Sequence, residues 1–563
     1  MRFAALATDY DATLAREGKV AAETIEALRR FRRTGRRAIL VTGRVIEDLQ
    51  QVFPDIKEFD SIVAENGATL YDPASGTEEV LAEAPPASFL ELLQEEGVTP
   101  LGWGKVIIAT DECRKQQVLD AIAELGLELQ IIFNKGSLMI LPSGTNKATG
   151  LKAAAARLSL SLHNIAGIGD AENDHAFLSA CEFPAAVANA LPTLKERVQL
   201  VTRQPDGRGV MELIDEIVKN DLCHYPAYLG HAVSIGQDRS GRDFTLFPGA
   251  VNLILGSSGG GKSTITTAFL EALALAKYQF CVLDPEGDYE TFKQAVVLGS
   301  PSKAPVPAEV IKLLERPAHN AVVNLLAVEL DQRPNFLQDI VRHLNLLRER
   351  MGRPHCVVID EAHHFLPAGV EGKSWPDLEG ITLITVRPGR LPEGVVKRVK
   401  TLLAVGPEAA DTIREFCAAA RLSPPIIGRA PLEPGQLLAW RVGERETVSF
   451  TPASTETVRI RHRRQYAEGE LPAERSFYFR GPQNKLNLRA YNLITFLNLM
   501  EGVDDETWLF HLRRGEYSKW FRNQIKDIEL ATQAESIERN GASAGESREK
   551  MHRIVSGRYT LPV

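Results

Sequence analysis

Little in this chain of 563 residues points to a membrane, a disulfide framework or a zinc ribbon. Its six cysteines stand singly, at 113, 181, 223, 281, 356 and 417, and no two form a CxxC pair. That dispersal argues against both a disulfide scaffold and a cysteine zinc site, and the expected compartment is the reducing cytoplasm. Long apolar runs are missing too. Ala153–Ala156 and Ala272–Ala276 fall far short of the roughly 20 residues that span a bilayer. The start, Met1-Arg-Phe-Ala-Ala-Leu-Ala-Thr-Asp9, reads as a strand running into chemistry rather than a targeting signal. Charge is only mildly biased. Lys and Arg number 65 against 73 Asp and Glu, a net −8 that offers no whole-surface attraction to nucleic acid. With 44% hydrophobic and 25% charged residues and no internal repeats, the chain is expected to be globular, in about three or four domains.

What is present is an alternation of short apolar strands and amphipathic helices. Phe3–Thr8 reads as a strand, Glu23–Phe31 as a helix and Ala38–Val41 as the next strand. This βαβ rhythm predicts a largely parallel sheet over residues 1–219. Residues from about 71 to 141 are less regular, with Pro73, Pro85, Pro86 and Pro100, and read as an inserted cap in which Trp103 is expected to be core. Residues 220–233 read as a linker. A second α/β section spans 234–451, with strands at Val251–Leu255, Phe280–Leu283, Cys356–Ile359 and Ile381–Thr385. Residues 452–563 read as a small, mainly helical section. They open on the basic run Arg459–Arg464, for which a solvated face outweighs a phosphate contact, and end in a polar stretch, Ala531–Lys550, read as a solvated helix or tail.

Two constellations carry chemistry. Asp9-Tyr-Asp11-Ala-Thr13 follows the first strand, and ligand chemistry in parallel sheets sits at the carboxyl ends of strands. One carboxylate can attack phosphorus while the other moves a proton. The next strand ends in Thr42-Gly-Arg44, a hydroxyl with backbone N–H groups suited to an anion. Lys147 supplies a cation, and Asp170-Ala-Glu-Asn-Asp174 supplies hard oxygen ligands for Mg²⁺.

In this order the four elements, with Ala64-Glu-Asn-Gly67, resemble the haloacid dehalogenase (HAD) superfamily, in its Cof-type branch with sugar-phosphate phosphatases. The resemblance covers about the first 215 residues and implies a Rossmann-like parallel sheet with an inserted α+β cap. It implies Asp9 as the nucleophile that forms an aspartyl-phosphate, Asp11 as general acid and base, Thr42 holding phosphoryl oxygens and Lys147 neutralising them. Mg²⁺ would be held by Asp9, the Asp11 carbonyl and Asp170, supported by Asp174. One departure is Ala12, where the family usually carries glycine; alanine costs little there if the backbone keeps a negative φ.

The second constellation is Gly256-Ser-Ser258-Gly259-Gly260-Gly261-Lys262-Ser263-Thr264, between a buried strand and a helix. This GxxxxGK[ST] loop turns backbone N–H groups onto the phosphates of ATP or GTP. Lys262 would reach the β- and γ-phosphates and Ser263 would ligate Mg²⁺. Downstream, Cys356–Ile359 ends in Asp360-Glu361, an acid for the Mg²⁺ shell and one to polarise the attacking water. Together with Val282-Leu-Asp284-Pro-Glu-Gly-Asp-Tyr289, Thr385-Val-Arg387 and Leu432–Trp440, these features resemble the HerA/FtsK ATPases over about residues 234–450, which implies a RecA-like domain. Two departures stand out. Val386 replaces the glutamine often found before the arginine, and the phosphatase-like section occupies the place of the usual β-barrel. Thr385 and Arg387 remain sensor candidates. Arg390 and Arg398 are candidates for a neighbouring subunit's nucleotide, with surface ion pairing as the commoner role.

Three readings fit. The first is a Mg²⁺-dependent phosphohydrolase fused to an ATP-hydrolysing motor or remodelling domain, acting on a phosphorylated small molecule or nucleic-acid end, with a hexamer if motor-like. The second is a metabolic sugar-phosphate or phosphoglycolate phosphatase with a regulatory ATP-binding domain. The third is a scaffold of a defence or repair complex with weak catalysis.

Overall fold

A computed structural model describes all residues except 135, 226–228, 258–259, 330, 366–378, 387, 429–431, 434, 458–470, 526, 541–542 and 560–563. The chain forms two compact units: Met1–Val233 with Glu315–Ala318 and His343–His355, and the remaining segments from Ser234 to Val563.

In the first unit, an eight-stranded sheet runs in the order Leu200–Val201, Phe183–Ala186, Ile165–Gly169, Ala5–Thr8, Arg37–Val41, Ser61–Ala64, Thr69–Asp72, Thr77–Val80. The first six strands are parallel and the last two add an antiparallel hairpin. The central strands are buried on both faces, which is why they read as unbroken apolar runs. Helix Ala22–Arg33 buries Thr24, Ala27, Leu28 and Phe31, one stripe at helical spacing, and gathers Arg30, Arg32 and Arg33 in its last turn, where cations suit the helix dipole. Each large aliphatic side chain buried in this core contributes about 1.5–3 kcal/mol.

A separate four-stranded antiparallel sheet, Leu101–Trp103, Ile108–Asp111, Ser137–Pro142, Leu129–Asn134, forms the cap with helices Ala87–Glu95 and Lys115–Glu124. Its small core includes Phe89, Leu93, Val118 and Ile140. Trp103, expected in that core, is instead 58% exposed, because it lies on the edge strand of a sheet too small to cover it.

The second unit holds an eleven-stranded sheet. Its parallel centre runs Thr401–Ala404, Val251–Leu255, Ile381–Thr385, Cys356–Ile359, Phe280–Asp284, Ala321–Asn324, Val296–Leu298. Leu437–Arg441, Val448–Pro452 and Val233–Asp238 extend it antiparallel, and Asp243–Leu246 closes that edge. After it, the hairpin Phe477–Phe479 and Leu488–Ala490 packs with helices around Phe496, Trp508, Tyr517, Trp520 and Phe521. The polar stretch read as a solvated helix or tail is built into this core. Helices Ile528–Arg539 and Ala544–Tyr559 bury Leu530, Ala531, Ala534, Met551 and Val555, and Trp508 Nε1 donates to Ser547 Oγ at 2.8 Å. Small alanines on the buried stripe made it look polar throughout. His511 is also structural: its Nε2 accepts from the backbone N–H groups of Arg480 and Gly481. The run Arg459–Arg464 lies outside the described residues.

Candidate functional site

Parallel register places the first site. Thr8 pairs with Leu40 on one side and Ile168 on the other, so Asp9, Thr42 and Asp170 leave the carboxyl ends of three adjacent strands. Lys147 starts the helix Lys147–Arg157, aimed by an Asn146 cap that accepts from Ala148 N and Thr149 N. Its buried ammonium donates to Asp9 Oδ1 at 2.5 Å and Asp174 Oδ1 at 2.6 Å. Asp174 Oδ2 accepts from the backbone N–H groups of Asp170 (2.7 Å) and Ala171 (2.9 Å), and Thr13 donates to Asp170 Oδ1 at 3.0 Å.

Carboxylate oxygens of Asp9, Asp170 and Asp174 lie within 4.8 Å of one another, all three side chains buried. Asp9 and Asp174 thus grip one ammonium, with Asp170 beside them. Burial, then the charges of Asp174 and Asp170, push the Asp9 carboxyl up to about 8 despite Lys147. Burial alone would lower the Lys147 ammonium, but Asp174 and Asp9 hold it above its ordinary value. A donor set of hard oxygens with an excess of negative charge fits Mg²⁺.

Asp11 is placed differently. Its carboxylate accepts a bidentate pair from Arg44, Nε at 2.7 Å and Nη2 at 2.8 Å, and stays about half exposed. Arg44 N also donates to the Thr42 hydroxyl at 3.1 Å. Ala12 adopts φ +59°, so the condition for alanine to cost little there, a negative φ, is not met. The turn has Thr13, Leu14 and Ala15 N–H groups converging on the Tyr10 carbonyl, and Ala12, the residue after the second aspartate, turns left-handed within it. That is the physical reason a glycine suits the position.

The second unit builds the other site. Gly256 (φ +150°) passes so close to Val405 that a Cβ would lie 2.5 Å from its carbonyl oxygen, and Gly261 (φ +109°) caps the helix Lys262–Leu275. Lys262 Nζ donates to the carbonyls of Gly256 (3.1 Å) and Ser257 (3.4 Å) and stands 3.8 Å from Glu361 Oε1. Gly260 N donates to Ser257 O within the loop, and Thr264, at the helix start, is exposed. Ser258, Gly259 and Arg387 lie outside the described residues.

Ser263 Oγ donates to Asp288 Oδ2 at 3.3 Å. Asp360 is buried, and its carboxyl is held well above the ordinary range by burial and then by Glu361, Asp288 and Asp284. Glu361 takes φ +43°, a strained conformation of a kind that clusters at functional sites, and its Oε2 is 3.3 Å from His363 Nδ1. His363 Nδ1 is also 3.0 Å from Thr385 Oγ1. Here too acids gather, with Glu361 near Lys262 and Asp288 on the Ser263 hydroxyl, a set suited to Mg²⁺.

Comparison with known proteins matches residues 6–96 and 88–214 to the haloacid dehalogenase-like hydrolase family, and residues 251–344 to the Helicase HerA, central domain. The chain joins a haloacid dehalogenase-like hydrolase domain to a HerA-type domain. Phosphoglycolate phosphatase 2 of Saccharolobus solfataricus is 28% identical over 226 residues, covering 38% of this chain and 93% of that protein. A phosphoglycolate phosphatase of Archaeoglobus fulgidus is 29% identical over 220 residues, covering 37% of this chain and 95% of its own length. Among solved structures, a haloacid dehalogenase-like hydrolase from Bacteroides thetaiotaomicron is 18% identical, with a TM-score of 0.34, covering 38% of this chain and 99% of that one.

Several residues of these domains carried no role in the sequence reading. In the hydrolase domain, Glu65 (φ +47°) accepts from Lys105 N, Val106 N and Ile107 N at 2.8–2.9 Å, fastening a cap loop to the core. Asn173 Nδ2 donates to Asn66 Oδ1 at 3.2 Å, while Asn66 Nδ2 and Asn173 Oδ1 are buried and have no partner among the described residues. In the HerA-type domain, Asp284 accepts from the backbone N–H groups of Glu286, Gly287, Asp288 and Tyr289 and so sets the loop that carries Asp288. Glu65, Asn66, Asn173, Asp284 and Asp288, like Arg44, fall within the quoted motifs, but spacing alone gives none of these side chains its partner.

Proposed function

We propose that the hydrolase domain is a phosphomonoesterase for a small phosphorylated metabolite, and that the HerA-type domain binds and hydrolyses ATP. The single observation that carries the first part is the buried Asp9 carboxylate, gripped by Lys147 beside Asp170 and Asp174 at the carboxyl edge of the sheet. The names of the archaeal relatives make phosphoglycolate the first substrate to try. Asp9 Oδ attacks phosphorus and the ester P–O bond breaks, while Asp11 gives its proton to the departing oxygen. Water, deprotonated by Asp11, then attacks the aspartyl-phosphate, restoring Asp9 and releasing inorganic phosphate. Lys147 offsets the charge on the phosphoryl oxygens, and Thr42 offers its hydroxyl to them. Mg²⁺, held by Asp9, Asp170 and the Asp11 carbonyl with Asp174 behind them, would neutralise the remaining negative charge as the dianion approaches.

In the second domain, Lys262 would leave its carbonyl contacts for the β- and γ-phosphates. Ser263 and Asp360 would hold Mg²⁺, and Glu361 would orient the water. Gly256, Gly260, Gly261 and Thr264 would line the nucleotide side, and the sequence motif alone assigns Ser258, Gly259 and the sensor candidate Arg387 to it. Division at 219, 233 and 451, a cytoplasmic location, action on nucleic acid and assembly into a ring belong to the same proposal; the net −8 charge confines any nucleic-acid contact to a local patch or a channel.

The decisive screen offers phosphoglycolate, sugar phosphates and 5′-phosphorylated oligonucleotides to the wild type and to Asp9→Asn. Turnover that persists unchanged in the variant removes Asp9 as nucleophile. ATP hydrolysis is followed with and without DNA and RNA. Lys262→Ala should weaken nucleotide binding and Glu361→Gln should trap ATP; unchanged hydrolysis in both sinks the ATPase reading. Stimulation by nucleic acid favours a motor, and its absence favours a metabolic phosphatase with a regulatory ATP-binding domain.

A further inference from the structure

A second cluster of metal-type ligands lies in the first unit, on residues that the proposed phosphatase chemistry does not use. His163 sits in the single turn Leu162–Asn164, which feeds the strand Ile165–Gly169. Glu182 stands between helix His175–Ala180 and strand Phe183–Ala186, and His231 ends the turn Leu229–His231. Glu182 Oε2 is 2.9 Å from His163 Nδ1 and 3.7 Å from His231 Nδ1. One ligating atom from each of the three residues lies within 4.8 Å of the other two. All three side chains retain 11–12% exposure, shielded from bulk water yet reachable by an ion.

The spacing suits one small cation. Donors about 2.0–2.2 Å from a tetrahedral zinc stand roughly 3.4 Å apart, and the two contacts to Glu182 bracket that value. The surroundings orient the donors as well. His231 Nε2 is 2.8 Å from the carbonyl oxygen of Cys181, which requires that nitrogen to carry the proton. His231 Nδ1 then turns a lone pair toward the oxygen of Glu182, an arrangement that a cation between them makes favourable. The other carboxylate oxygen, Oε1, is held by Arg2 Nη2 at 3.2 Å. An imidazole whose far N–H rests on a backbone carbonyl is the usual support of a metal-binding histidine.

We propose that His163, Glu182 and His231 bind a divalent cation of the zinc class, through two imidazoles and one carboxylate, with a fourth position open to water. Two nitrogen donors select against Mg²⁺, which prefers oxygen alone, and so separate this site chemically from the Asp9 cluster. The ion joins three segments far apart in sequence, and fastens the turn at 229–231 to the hydrolase domain.

Cobalt reports on this directly, because Co²⁺ in a tetrahedral nitrogen-containing site absorbs visible light far more strongly than in an octahedral oxygen site. The full chain, stripped with chelator and desalted, is titrated with Co²⁺. Wild type should develop the tetrahedral band to saturation at one equivalent, and Zn²⁺ should abolish it. His231→Gln and His163→Gln should bind at least about tenfold more weakly, whereas Asp9→Asn should keep the band. Absence of the band in wild type overturns the proposal whatever the variants do. So does an unchanged affinity in His231→Gln, or loss of the band in Asp9→Asn, which would place the ion at the Asp9 cluster.

Discussion

Ala12 offers the sharpest test of the turn that carries Asp9 and Asp11. At φ +59° its methyl group is crowded against the backbone, a cost of about 1–2 kcal/mol for a non-glycine residue. Glycine removes that cost but gives back about 0.5–1 kcal/mol through the greater freedom of the unfolded chain, so Ala12→Gly should stabilise the turn by about 0.5–1 kcal/mol. The contacts that fix the turn are backbone ones and survive the change: Ala12 N donates to Ala15 O at 2.9 Å, and Asn189 Nδ2 donates to Ala12 O at 2.7 Å. Hydrogen exchange of the full chain, read on peptides covering residues 3–15, should show protection rising by roughly two- to fivefold. The β-branched Ala12→Val should move the same peptides the other way. Faster exchange in Ala12→Gly, or equal protection in both variants, would mean that the turn is not held left-handed and that the reasoning about this position is wrong.

Lys147→Ala leaves the buried acids Asp9 and Asp174 without their cation, so the chain should lose about 3–5 kcal/mol of stability in chelator, with partial recovery in the double variant carrying Asp174→Asn. Denaturant midpoints check this, and a double variant no more stable than the single would refute it. Asp284 provides a pH test. Burial raises its carboxyl from 3.8 to about 7, so its contribution to folding is full below about 4 and is lost as pH climbs through 7, on the order of 4 kcal/mol in all. Asp284→Asn does not ionise, so its midpoint relative to wild type should improve between pH 5 and pH 8; a constant difference counts against the assignment. Glu65→Ala strips the acceptor from three backbone N–H groups of the cap loop, of which the two buried donors, Val106 and Ile107, cost about 1–3 kcal/mol each when left unmade. Its kcat/KM on the best substrate should fall roughly tenfold or more, mainly through KM, while a drop confined to kcat would argue that the loop does not position substrate.

Local order decided how much of this was visible beforehand. Strand Val251–Leu255, the glycine loop and helix Lys262–Leu275 are consecutive in sequence, so the phosphate cradle is written in one stretch. The same holds for Asp9 after its strand and for Asp170 after Ile165–Gly169, since strand ends in a parallel sheet share one edge. Amphipathic stripes such as Thr24, Ala27, Leu28 and Phe31 announce their helices through period alone. Helices Ile528–Arg539 and Ala544–Tyr559 did not, because alanine on a buried stripe carries little hydropathic contrast against glutamates and serines.

By itself, then, the order of residues determined the α/β class, the strand-and-loop settings of the candidate carboxylates and the glycine loop, all features with a short range along the chain. Only the tertiary structure decided which groups meet. It placed Arg44 on Asp11, Asp9 and Asp174 on Lys147 with Asp170 beside them, Asp288 against Ser263, Glu65 under the cap loop, and two histidines beside Glu182. The physical reason is that charge, hydrogen bonding and metal affinity depend on distances of a few ångströms between residues that sequence separates by tens or hundreds of positions, and on a burial that no single segment can supply.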